Sequence, residues 1–346
     1  MKFKTTKYPF ICLLMFLLAG NALFAQTTRK IGTTSAAFLR IPVSSRAAGM
    51  GNAFTAMKPD ASSLYWNPSG AAYLSEYNVI FDHANWLADL QFNYAGIVIP
   101  VPDNGSVGIS ATVLSTPAML VTTPAEPMGT GETFDAVDLA FALSYARSLT
   151  DKFAIGANVK YVNERIYNTT ASGIAFDIGT IYESPFYGVR IGAAISNFGT
   201  KMKMDGEDLN VRVDIAPGQE GNNQSITGRL NTDEFEMPLI MRIGLSGEIL
   251  QTDNIRISFD VEGVNPNDNS QSVNIGFEAA FIKELFLIRA GYNDLFLPET
   301  EAGISCGAGV NRFNLYDNLF ITSDFSYQKF NRFGGITRFT IYLLFH

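Results

Sequence analysis

The stretch KFAIGANVKYVNERIYN, residues 152–168, decides the fold. Phe153, Ile155, Ala157, Val159 and Tyr161 alternate with Ala154, Gly156, Asn158 and Lys160. One face is apolar and the other small or polar, the period-two signature of a β-strand. The pattern recurs upstream and downstream. Val189, Ile191, Ala193 and Ile195 alternate with Arg190, Gly192, Ala194 and Ser196, and Phe339, Ile341, Leu343 and Phe345 with Arg338, Thr340 and Tyr342.

Working outward, strands are predicted over 77–86, 89–99, 105–116, 134–148, 152–167, 171–183, 187–198, 237–250, 254–264, 271–283, 286–294, 302–313, 318–329 and 334–345. That is fourteen, an even number, each long enough to cross a bilayer at a tilt, which takes about 9–11 residues. Every second connection is short: 100–104, 149–151, 184–186, 251–253, 284–285 and 314–317. The two long ones, 117–133 and 199–236, both fall in the other set, although 87–88 in that set is short too. Short turns at one end and long loops at the other mark an outer-membrane barrel with its long loops outside the cell. The expected fold is all-β, a 14-stranded antiparallel transmembrane β-barrel with a small N-terminal helical hatch.

The chain begins with Lys2, Lys4 and Lys7, an apolar run from Phe10 to Ala19, and Ala22-Leu23-Phe24-Ala25 before Gln26. That order reads as a secretory signal peptide over 1–25, cleaved near Ala25. No later segment is a continuous apolar run, and in lipid only helices and closed barrels satisfy their backbone. Three regions follow: signal 1–25, hatch 26–76 and barrel 77–346. Losing the signal takes the formal charge from −8 to −11. No basic patch points to nucleic acid. Cys306 is the one cysteine left, so neither a disulfide within the chain nor a cysteine metal site is expected.

With the apolar face on lipid, the lumen receives Lys160, Arg190, Arg242, Arg256, Arg289 and Arg338 together with Asp177, Glu248, Asp260, Glu262, Glu278 and Asp324. Six bases balance six acids. A strongly ion-selective pore would carry an excess of one sign, so balance favours paired charges in a filled interior over an open channel. Gly276, Gly291, Gly307 and Gly309 fall on the inner face of three consecutive strands. They mark either the place where a plug approaches closely or a site of barrel curvature.

The hatch has its own character. Arg46-Ala47-Ala48-Gly49-Met50-Gly51 is followed by Asp60-Ala61-Ser62 and by Asn67-Pro68-Ser69-Gly70. Asp60 is placed to cap a short helix through Trp66, which Asn67-Pro68 would end. These motifs ahead of a fourteen-strand pattern resemble the FadL-like barrel superfamily, and more closely the PorV/PorQ family of Bacteroidetes-type bacteria. The layout of the mature chain shares the resemblance, but its specific motifs lie in residues 46–70.

Two jobs are implied. Members of the PorV type serve type IX secretion, binding C-terminal signal domains of cargo and associating with translocon subunits. FadL-type members pass hydrophobic small molecules, with the Asn-Pro segment as a hatch. On the FadL pattern Asp60, Asn67, Pro68 and Gly70 would be hatch residues, and Arg46, Gly49 and Gly51 belong to the same hatch or plug motif. Phe54, Leu64, Tyr65 and Trp66 would line a hydrophobic ligand site or simply anchor the plug. The polar loop 199–236 is the candidate protein contact, and the outer wall would meet membrane lipid.

Enzyme chemistry finds little footing. The histidines are His83 and His346, and Asp82 points away from His83 on a strand. No zinc spacing, dinucleotide fingerprint or Walker loop occurs, so no metal, cofactor or catalytic residue is expected. Asp260 and Glu262 could be posed as an acid–base pair, but pairing with Arg242 and Arg256 is the reading preferred.

Overall fold

The computed structural model describes residues 31–186, 188–216, 218, 225–316 and 318–345. The signal segment and its cleavage site lie outside the described residues, as does His346. Among the described residues fourteen strands form the wall. They are β1 (Tyr77–Asn85), β2 (Gln91–Val101), β3 (Gly105–Ser115), β4 (Ala136–Thr150), β5 (Phe153–Ile166), β6 (Thr169–Glu183) and β7 (Arg190–Gly199). The second half holds β8 (Ile240–Gln251), β9 (Ile255–Pro266), β10 (Ser272–Phe281), β11 (Phe286–Leu295), β12 (Ala302–Tyr316), β13 (Leu319–Phe330) and β14 (Gly334–Phe345).

Each strand pairs antiparallel with its sequence neighbours, and β1 pairs with β14 from Tyr77↔Phe345 to Ala84↔Arg338. The ring is closed, so no edge strand meets lipid with unpaired backbone. Tyr77 and Phe345 stack across the closing seam at 5.2 Å. The alternation read in β5 holds around the wall. Phe141, Leu143, Val159, Tyr161, Phe176 and Ile178 point outward, while Asn158, Lys160 and Asp177 are buried inside.

The structure departs from the expected boundaries where side-chain hydrogen bonds compete with regular pairing. The expected helix from Asp60 shortens to Ser63–Trp66. The Asp60 carboxylate accepts from Ser62 N (2.8 Å) and Ser62 Oγ (2.5 Å), holding a turn in place of the first helical turn. Asn67 leaves the helix extended at φ −158°, as a residue before proline must. The β1–β2 connection spans 86–90, because Ala88 and Asp89 take positive φ and cannot continue a ladder. Within loop 199–236, Met202–Lys203 pairs with Glu234–Phe235, and Asn210–Val213 with Ile226–Arg229.

The lumen is filled by the segment before β1. It enters at the long-loop end, where Thr34 bridges Glu236 and Arg40 pairs with Asp268. It then turns through Ala37–Arg40, Ser45–Gly49, Ser63–Trp66 and Pro68–Tyr73, and joins β1 at the short-turn end. Phe38, Met50, Phe54, Met57, Leu64 and Trp66 of this plug are buried with Ile80, Phe92 and Val162 of the wall. The hydrophobic core is thus the plug–wall interface.

Candidate functional site

The site is the latch between plug and wall, with a cavity on either side. The turn Ser45–Gly49 aims Arg46 at β10. Ser44 Oγ caps it by accepting from Arg46 N (3.1 Å), and Ser44 itself lies 2.7 Å from the Tyr342 hydroxyl. Ser45 N donates to Thr340 Oγ1 at 2.7 Å. Arg46 Nε and Nη2 donate to Glu278 at 2.9 and 3.2 Å, and Nη1 donates to Asp60 Oδ2 at 2.9 Å. Glu278 also accepts from Arg256 (3.0 Å) and Arg289 (2.8 Å), and Arg289 bonds Asp324 at 2.7 Å. One fully buried carboxylate therefore gathers three guanidiniums, one from the plug and two from the wall. Burial alone would lower the Arg46 pKa, but Glu278 and Asp60 outweigh it and hold the pKa above its usual value.

A second anchor uses backbone donors. Glu262 accepts from Phe54 N (3.0 Å) and Thr55 N (2.8 Å), so this carboxylate fastens the plug instead of serving as half of an acid–base pair with Asp260. A third lies at Asn67, whose Nδ2 donates to Thr55 O and to Thr180 O of β6, both at 3.0 Å. Asn67 Oδ1 accepts from Ser69 Oγ at 2.6 Å.

Glycines set the distance between plug and wall. A Cβ on Gly49 would sit 3.1 Å from Gly307 Cα, and one on Gly276 would sit 2.8 Å from Met50 Cβ. Gly51, at φ +67°, passes Tyr292 N so closely that a Cβ would lie 2.6 Å away. Gly291 faces Met50 and Gly51. Gly309 differs: its nearest neighbours are Asp324 and Arg289, so it makes room for that ion pair. Gly70 is tight within the plug, where a Cβ would lie 2.6 Å from Ser63 Oγ, and Pro68 lies against Gly156 of β5.

Phe54, Leu64, Tyr65 and Trp66 are all buried and interlock. Tyr65 and Trp66 meet edge to face at 5.1 Å, Trp66 Nε1 donates to Val43 O at 2.9 Å, and Arg242 stands 5.2 Å over the Trp66 ring. Of the four, Trp66 lines the outer cavity. This outer cavity, about 450 Å³, opens on the long-loop side and is lined by Phe38, Ile41, Trp66, Trp86, Ile240 and Arg242 among others. An inner cavity of about 460 Å³ lies under the latch and contains Arg46, Asp60, Arg190, Glu278, Arg289 and Asp324.

Other lumen charges pair in part: Lys160 with Asp177 at 2.7 Å, Arg242 with Glu262 at 3.6 Å, and Arg338 with Asp82. Asp260, expected to pair with Arg242 or Arg256, is in no ion pair among the described residues, because Glu262 and Glu278 take those arginines. Among the described residues no cluster of His, Cys, Asp or Glu is arranged to hold a metal. His83 faces outward, its Nδ1 2.8 Å from Asn93 Oδ1.

Sequence reasoning missed a second glycine run. Gly156, Gly179 and Gly192 sit on the inner faces of β5, β6 and β7 beneath Pro68, Asn67 and Thr55. The signal was the same as for the run at 276–307, namely small residues in phase with the inward face.

Residues 24–218 match the family model described as type IX secretion system protein PorV. The chain belongs to this family. Among solved structures it is similar to the CymD monoaromatic hydrocarbon channel, with TM-score 0.56 and 13% identity over 88% of this chain and 97% of that one. It is also similar to the Pseudomonas putida toluene transporter TodX, with TM-score 0.53 and 12% identity over 86% and 96%. At such identities the likeness shows the fold, a FadL-like outer-membrane barrel. No curated protein matches the chain in sequence. As a PorV-family barrel it sits in the outer membrane, with lipid on its apolar wall.

Proposed function

We propose that this PorV-family barrel is an accessory of type IX protein secretion that engages exported proteins or translocon subunits through its outer loops. The observation that carries the reading is the latched lumen. Three guanidiniums on Glu278, two backbone amides on Glu262 and the Asn67 bridge tie the plug to the wall. A barrel so filled offers its partners surfaces more readily than a passage. The most extended of those surfaces is loop 199–236. Deleting 205–230 is expected to abolish co-purification of exported proteins and translocon subunits from gently solubilised membranes. Retention equal to wild type rejects the reading.

One observation favours a second reading, passive passage of hydrophobic compounds in the manner of FadL-like channels. The outer cavity brings Trp66, Phe38, Ile41 and Ile240 together on an apolar side, with Arg242 over Trp66 and with Arg40 and Asp294 on its polar side, a lining suited to an apolar molecule that carries a polar end. Passage would require Arg46 to leave Glu278. Uptake of a labelled aromatic hydrocarbon that is equal in cells with and without the protein removes this reading. The proposal includes no catalytic step, metal or cofactor.

A further inference from the structure

Asn210–Val213 and Ile226–Arg229 form a two-stranded hairpin that pairs with no further strand among the described residues. Val211 lies opposite Gly228 and Val213 opposite Ile226. Leu230 N donates to Leu209 O at 2.8 Å, extending the same ladder. Opposed residues share a face, so Leu209, Val211, Val213, Ile226 and Leu230 form one apolar side. Asn210, Arg212, Thr227 and Arg229 form the polar one. The apolar side is partly open to water: Val213 is 41% exposed and Leu230 54%, while Leu209, Val211 and Ile226 are half-buried.

An isolated hairpin of this kind is marginal in water and gains independent stability from a third strand or an apolar cover. Each of its strands has one backbone edge without a strand partner among the described residues, the usual template for strand addition. The chemistry of the occupant follows from the surroundings. Loop 199–236 holds eight carboxylates against four basic side chains. The neighbouring outer loop, 116–135, contributes Glu126, Glu132 and Asp135 with no basic residue. An extended backbone matches the edges and alternating apolar side chains match the face. The hairpin's own charges are Arg212 and Arg229, with Arg229 paired to Asp205, so the carboxylates left over in the surrounding loops set a field that basic side chains match.

We propose that this hairpin is a strand-addition dock for an extended, basic β-segment of another protein, whose apolar side chains seat on Leu209, Val211, Val213 and Ile226. The inference rests on the secretion reading and deepens it by naming the mode of contact and the chemistry of the partner. The test uses the full-length barrel in lipid nanodiscs and a short peptide alternating lysine with valine. Wild type should bind it saturably. Affinity should fall about tenfold or more, a loss of about 1.4 kcal/mol, in the variant Val211→Ser, Val213→Ser, Ile226→Ser. It should fall similarly when the backbone nitrogens of one peptide edge are methylated.

Absence of binding to wild type overturns the proposal, as does binding that neither change weakens. A dimer of the barrel that dissociates in the triple variant also overturns it, because the hairpin would then be occupied by a second copy. Unchanged heat-dependent migration of the triple variant in gels establishes that its barrel is folded. Co-purification of exported proteins with wild type is scored separately, so the secretion reading can fail while peptide binding stands, and the reverse.

Discussion

Replacing Glu278 by glutamine should loosen the plug without opening a void. The side chain keeps its shape but loses the charge that gathers Arg46, Arg256 and Arg289. Removing one partner from a buried ion pair costs about 3–5 kcal/mol, chiefly because the remaining charge stays buried. Arg46 retains Asp60, and its side chain is 11% exposed, so the lower end applies to the plug. A loss of about 3 kcal/mol raises the population of the unlatched state about 100-fold. The assay is amide hydrogen exchange in nanodiscs over residues 44–52. There Met50 N, Gly51 N and Asn52 N donate within the turn at 2.9–3.2 Å. Their exchange through local opening should accelerate by that factor, while β4–β6 amides remain unchanged. Rates within about threefold of wild type, a shift of less than 1 kcal/mol, would show that the latch does not hold the plug and would refute the argument.

Three further outcomes follow from the same interface. Wild type should show no steady conductance in planar bilayers, and Glu278→Gln should show intermittent openings; a wild-type pore conducting steadily contradicts the sealed lumen. Gly291→Ala places a methyl against Met50 and Gly51. It should destabilise plug seating by about 1–3 kcal/mol, read as a lower unfolding temperature, whereas Gly303→Ala, with nothing within 4 Å, should match wild type. Asn67→Ala strips the bridge from Thr55 O and Thr180 O. The cost should be about 1–3 kcal/mol, measured as faster exchange at residues 67–70.

Much of the wall was legible because a strand that separates lipid from a packed lumen must alternate residue by residue. Phe153 to Tyr161 shows this without any neighbour. Glycine in phase with the inward face marked either a close approach or barrel curvature at Gly276, Gly291 and Gly307, and the packing of Met50, Gly51 and Gly49 against them decided between the two. Gly309 carried the same signal yet serves the Arg289–Asp324 pair, since phase reports which face a glycine occupies but not what lies opposite. The hatch aromatics were legible as a cluster. That Trp66 lines the outer cavity was not, because it depends on how four short turns fold back on one another.

By itself, the order of residues determined the period-two wall, its even strand number, the inside–outside division of charge and the presence of a segment of different character ahead of the wall. Those are local or nearest-neighbour properties, dictated by side-chain direction along an extended chain. Tertiary structure alone decided that Glu278 gathers Arg46, Arg256 and Arg289, that Glu262 caps Phe54 and Thr55, and that Asn210–Val213 and Ile226–Arg229 stand as an amphipathic hairpin. Arg46 and Glu278 are 232 positions apart in the chain, and a contact at that separation exists only once the ring has closed around the plug.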